Sequence, residues 1–187
     1  VLLQKIFRIF TIIVISITTL CLLLGGTYFY QKFIYTDPLE KTVQEMKEVE
    51  VFQVEQRKDR LLIDVQFSGR EKLQSSFYLL LDQLERQKKF EKNKLVIKIN
   101  NAADEETVEF LKLVKLPVYE AISTGHFTDL PNQLMALAEK TGITYDLEID
   151  NQFIFVTAHK KGVSAHLVIS RGELPFKVIT TMGEEYL

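Results

Sequence analysis

Leu61–Ile99, LLIDVQFSGREKLQSSFYLLLDQLERQKKFEKNKLVIKI, decides the fold. Leu61, Ile63, Val65 and Phe67 alternate with Leu62, Asp64 and Gln66, the period-two pattern of a strand with one buried face. Ser68-Gly69-Arg70-Glu71 has the spacing of a capping box and predicts a helix start. Leu73, Phe77, Leu80, Leu81 and Leu84 form its apolar stripe, and the helix is expected to end in a basic run closing at Lys94. Leu95, Ile97 and Ile99 then alternate as another strand. Strand, helix and strand in so short a stretch predict a crossover joining a parallel pair.

On the N-terminal side, Val49–Gln56 reads as a strand followed by a polar turn at Arg57–Arg60. Before it, Asp37 can cap a helix that takes Pro38 at its first position, with Glu40 three residues past the cap. Leu39, Val43 and Met46 fall on one stripe of that helix. On the C-terminal side, helical signals from Asp104 to Leu116 are expected to break at Pro117, with a short turn of helix from Val118 to Thr124 stopping at Gly125. Thr128-Asp129 introduces a helix over Leu130–Thr141, with Pro131 in its first turn and Gly142 at its end. The period then becomes two. Tyr145, Leu147 and Ile149, then Phe153 to Ala158, then Val163, Ala165, Leu167 and Ile169 predict an antiparallel meander. Leu174 to Met182 is expected to add an edge strand, with Pro175 at its start.

The stretch from Ile9 to Gln31 is of a different kind, because it carries no charge. As a helix its twenty-three residues span roughly 34 Å, enough for a hydrocarbon core of about 30 Å. Twelve of them are Ile, Leu, Val or Phe, which favour insertion by roughly 4 to 7 kcal/mol. Thr11, Ser16, Thr18 and Thr19 offset part of that, though their hydroxyls can bond to carbonyls one turn back. Tyr28, Phe29, Tyr30, Phe33 and Tyr35 suit an interfacial aromatic belt. A cleaved signal peptide would have a shorter apolar part ending at small residues, whereas this run leaves through Gly25, Gly26, Thr27 and Tyr28. Cys21 sits among leucines, without the setting of a lipid-modified cysteine, and reads as a small apolar side chain. The expected class is therefore α+β: an N-terminal transmembrane helix, then one domain with a mixed β-sheet (a βαβ unit plus a C-terminal antiparallel meander) whose one face is covered by helices. In domains, 1–8 is a short tail, 9–31 the anchor, 32–48 a juxtamembrane helix or linker, and 49–187 the soluble part.

Chemistry is sparsely marked. Beyond the anchor the chain carries 21 basic and 25 acidic residues, a balance that predicts no nucleic-acid partner. The single cysteine excludes disulfide stapling. No G-x-S-x-G, P-loop or dinucleotide fingerprint occurs, and no catalytic residue, cofactor or metal is expected. His126 lies in a Gly125-His126-Phe127 loop, and His159 and His166 on adjoining strands. A G1 bulge at Gly162 would put the last two roughly 10 Å apart on opposite faces, as solvated histidines that share no ion. Asp146, Glu148 and Asp150 share a strand face but lack the Gly turn and distant Glu of a calcium loop, so a structural role is expected. The basic run Arg86, Lys88, Lys89, Lys92 and Lys94 is the candidate interaction surface, for anionic headgroups or an acidic partner. Tyr119, His126, Phe127 and Phe155 are the candidate lining of a ligand pocket.

These readings lead to a single-pass membrane protein with its N-terminus in the cytoplasm, since Lys5 and Arg8 precede the span. Its domain outside is expected to act in protein–protein contact within a bacterial envelope assembly, touching the bilayer and a membrane or envelope protein, without catalysis. A ligand-sensing domain is the alternative, and a membrane-tethered hydrolase using scattered carboxylates and His126 a further one.

Overall fold

The computed structural model describes residues 13–26, 43, 46–57, 60–69, 72–86, 92–101 and 104–181. The chain divides into two units, residues 1–39 and 40–187. In the first, residues 13–26 are helical, and Ile13, Ile15, Ile17, Leu20, Leu22, Leu23 and Leu24 are all exposed. The Thr18 hydroxyl donates to the Val14 carbonyl at 2.9 Å and that of Thr19 to Ile15 at 2.8 Å, the internal satisfaction expected of them. Among the described residues no helix is long and apolar enough to cross a membrane; the expected span over 9–31 runs past this stretch at both ends, outside the described residues. The juxtamembrane helix expected over 32–48 also lies outside them, apart from 43 and 46–48.

The second unit is α+β. Strands β1 (Val49–Arg57), β2 (Arg60–Phe67), β3 (Leu95–Ile99) and β7 (Lys177–Thr180) form a mixed sheet in the order β1-β2-β3-β7. β1 and β2 are antiparallel, while β2 and β3, and β3 and β7, are parallel. Helix α1 (Leu73–Arg86) makes the expected crossover between β2 and β3. Strands β4 (Thr144–Ile149), β5 (Phe153–Lys160) and β6 (Val163–Ser170) form a separate antiparallel sheet.

One mixed sheet was expected, and the chain forms two, joined edge to edge by side chains. The Asn101 amide stands in for a missing strand: its Oδ1 accepts from the His166 N–H at 2.7 Å, and its Nδ2 donates to the carbonyls of His166 at 2.9 Å and Thr181 at 3.1 Å. The Val168 N–H donates to Thr180 Oγ1 at 3.2 Å. Side chains thus satisfy three backbone groups on the free edge of β6, the His166 N–H and carbonyl and the Val168 N–H, without strand pairing.

The helices also cover both faces of the second sheet rather than one. Phe153 and Phe155 of β5 pack on Phe77 of α1. Ile154, Val156 and Ala158 point the other way, into a core shared with α2 (Glu105–Thr124) and α3 (Leu130–Thr141). β5 is consequently buried continuously from Phe153 to Ala158, as a strand covered on both sides must be.

α2 runs unbroken through Pro117, where a break was expected. Pro117 removes the donor for the Leu113 carbonyl, but Leu113 lies on the exposed side, where water can take that bond. Val114, Val118 and Ala121 are buried on either side of the proline, and their burial holds the helix together. α1 starts later than the capping box predicts. Gly69 is left-handed at φ 66°, so the chain turns there, and the Ser76 N–H donates to the Lys72 carbonyl at 3.1 Å where α1 begins. α1 ends at Arg86, and Lys92–Lys94 form a short 3-10 turn before β3. α3 has the predicted bounds, with Gly142 left-handed at its C-terminus.

Candidate functional site

The face of β4–β6 turned toward α1 changes character along its length. It is aromatic under α1, where the Phe77 ring lies 5.1 Å from Phe153 and 5.7 Å from Phe155. Beyond the helix start it becomes polar. Register places Asp146 opposite Thr157, Thr157 opposite His166, and His159 opposite Ser164, all on one face. Because α1 begins only at Leu73, this polar end opens as a cleft of about 250 Å³, walled by Gly69, Lys72, Asp146, Glu148, Thr157 and His159.

The two histidines therefore share a face, which corrects the expectation of opposite faces. Lys161 (φ 51°) and Gly162 (φ 82°) form a two-residue hairpin turn of type I′ in place of a G1 bulge, which shifts the register by one and turns His166 inward. His166 is buried, with Nδ1 3.2 Å from Thr157 Oγ1 and its ring edge-on to Phe67. Its Nε2 has no hydrogen-bond partner. Burial pushes the imidazole down to about 4, with the Phe67 carbonyl opposing and the charge of His159 adding to the shift. Among the described residues, no group of His, Cys, Asp and Glu is arranged to hold a metal ion.

The acidic row divides its work. Glu148 Oε2 accepts the Gln74 N–H at 3.1 Å, capping α1 from a neighbouring strand, and Oε1 lies 3.7 Å from Lys72 Nζ. Asp150 accepts four donors: the N–H groups of Gln152 (2.7 Å) and Phe153 (2.8 Å), Gln74 Nε2 (2.8 Å) and the Tyr78 hydroxyl (2.8 Å). Burial raises the Asp150 carboxyl, but those donors outweigh it and hold the group below its usual range. Burial and the Asp150 charge together push Tyr78 up to about 12. Both carboxylates fasten α1 to the antiparallel sheet.

Asp146 and His159 remain, and they line up with Ser164. His159 Nε2 lies 3.0 Å from Asp146 Oδ2, and Nδ1 2.9 Å from Ser164 Oγ. This is the bond order of an acyl-transfer relay, with the two ring nitrogens exchanged relative to the usual serine arrangement. Ser164 is poorly placed as its nucleophile. Gly69 sits on it so closely that a Cβ there would lie 2.5 Å from both Ser164 Cβ and Oγ. The cleft is walled by Gly69, Thr157 and His159, and Ser164 does not line it. The nearby Gln74 amide is occupied by Glu148, whose charge opposes an oxyanion. What the cleft presents to solvent is a cation and carboxylates close together: Lys72, Asp146 and Glu148.

The residues singled out for a pocket do not converge. Tyr119 is exposed on α2, and His126 is exposed between α2 and α3. Phe127 packs against the α2–α3 core with the Arg171 guanidinium 4.1 Å from its ring centroid. Phe155 is buried on the other face of the sheet, against α1. In the basic run, Arg86 pairs with Asp82 at 2.8 Å, one turn back on α1. Lys92 and Lys94 bound the 3-10 turn, and Lys88 and Lys89 lie outside the described residues.

A surface not anticipated from the sequence lies on α2. Leu113 (44 % exposed), Leu116 (75 %) and Tyr119 (55 %) form an apolar strip opposite the buried stripe of Phe110, Val114, Val118 and Ala121. Their spacing of three was visible, but reading the helix as broken at Pro117 hid that they share one face. The chain matches no protein-family model, no curated protein and no solved structure.

Proposed function

We propose that the chain is a single-pass membrane protein whose α+β unit stands outside the cytoplasm and works by contact with other protein in a cell-envelope assembly. The observation that carries the reading is the α2 strip: three large side chains, Leu116 foremost, exposed on a helix whose opposite face is buried. The anchor is supported by the charge-free run from Ile9 to Gln31 and by the exposure of its leucines and isoleucines over 13–26. Its orientation follows Lys5 and Arg8. Crosslinking in native membranes followed by mass spectrometry tests it. A protein neighbour joined through α2 and lost with Leu116→Asp is expected; no protein neighbour at all would contradict it.

A second reading, a ligand-sensing domain, is favoured by the cleft beside α1. Lys72 with Asp146 and Glu148 suits a small zwitterion. Thermal-shift screening of amino acids against the purified protein checks it, with a response that disappears in Lys72→Glu.

A further inference from the structure

The charge pattern around the α2 strip is self-complementary. Counting from Leu116, Leu113 and Tyr119 lie three residues to either side, and Lys112 and Glu120 four to either side. Helix geometry puts residues at plus and minus three and four on the same face as the central one. All five are exposed in the helix Glu105–Thr124. A two-fold axis through Leu116, perpendicular to α2, would run a second α2 antiparallel to the first. Leu116 then meets its own copy, Leu113 stands at the height of Tyr119, and Lys112 at the height of Glu120, twice over by symmetry. A parallel pair would set Lys112 against Lys112 and Glu120 against Glu120, so the charges also select the direction.

We infer that this face is an isologous interface between two copies of the chain, with the α2 helices packed antiparallel about Leu116. The inference rests on the protein-contact reading above and names the partner. Three apolar side chains make a small interface, and anchoring both copies in one bilayer raises their effective concentration enough for a small interface to be occupied. In the single copy Lys112 is 3.7 Å from Glu109, which lies seven residues before Leu116 on the same face and stands at the height of Ser123 in the antiparallel pair.

The test uses the full chain in membranes, with Cys21→Ser removing the native thiol. Leu116→Cys is expected to give a disulfide-linked dimer under mild oxidation. Lys112→Cys coexpressed with Glu120→Cys is expected to crosslink between the two variants, while Lys112→Cys alone gives no dimer. In the Leu116→Cys protein, Lys112→Glu or Glu120→Lys alone is expected to cut the yield about fivefold, with the double reversal restoring it. These positions are exposed, so a properly folded variant is expected in each case. Crosslinking of Lys112→Cys to itself, or a yield indifferent to the charge reversals, overturns the inference. Capture of only a different protein through Leu116 also overturns it while leaving the contact reading intact; absence of any protein neighbour overturns both.

Discussion

Gly69 is the residue on which the cleft turns. Its left-handed φ and its contact with Ser164 leave no room for a side chain, and the neighbour it would strike is a β-carbon fixed to a strand. Gly69→Ala is expected to cost about 2 kcal/mol or more, read from the shift of the urea midpoint. His166 sets the response to acid. Its folded pKa lies below the unfolded value, so the unfolded chain binds more protons between about 4 and 6.5, and stability falls as pH drops through that window. Going from pH 7.5 to 5, this one group is expected to remove about 2 kcal/mol, a slope that His166→Phe should abolish when both proteins are unfolded in urea at each pH. The sequence placed His166 on a strand but gave it the wrong face. Lys161 hides the turn type, because a non-glycine residue at positive φ does not announce a type I′ hairpin, and a slip of one residue exchanges the faces.

Among elements, those whose signals are local were legible. α3 carries Pro131 in its first turn and Gly142 beyond its end, and it has the predicted bounds. The βαβ unit followed from a change of period within a short stretch. What depends on contacts across the chain was not legible. Asn101 precedes no obvious element, yet its amide joins β6 to the segment after β7. Asn101→Asp keeps the shape but loses both donated bonds and sets a charge beside two carbonyls. It is expected to cost about 2–3 kcal/mol, measured by the denaturation midpoint. α2 shows burial overriding a helix breaker: Pro117 forfeits one bond on the wet side while its neighbours stay buried. Pro117→Ala, which restores that donor, is expected to stabilise the protein by about 1 kcal/mol, seen as a higher melting temperature.

For the whole molecule, the acidic row on β4 illustrates how far a site can be read from pattern alone. Asp146, Glu148 and Asp150 were expected to be structural. Glu148 and Asp150 do pin α1, while Asp146 is drawn to His159 by a strand pairing that no spacing reveals. The cleft and the α2 strip both arise where a helix starts late or runs on through a proline, and local signals pointed the other way at each. We propose that residues 9–31 hold the chain in a bilayer, where a small contact surface on α2 would suffice. Alkaline carbonate washing of membranes from cells producing the full chain measures this most directly. The protein is expected to stay with the membrane pellet; its release into the supernatant would contradict the account.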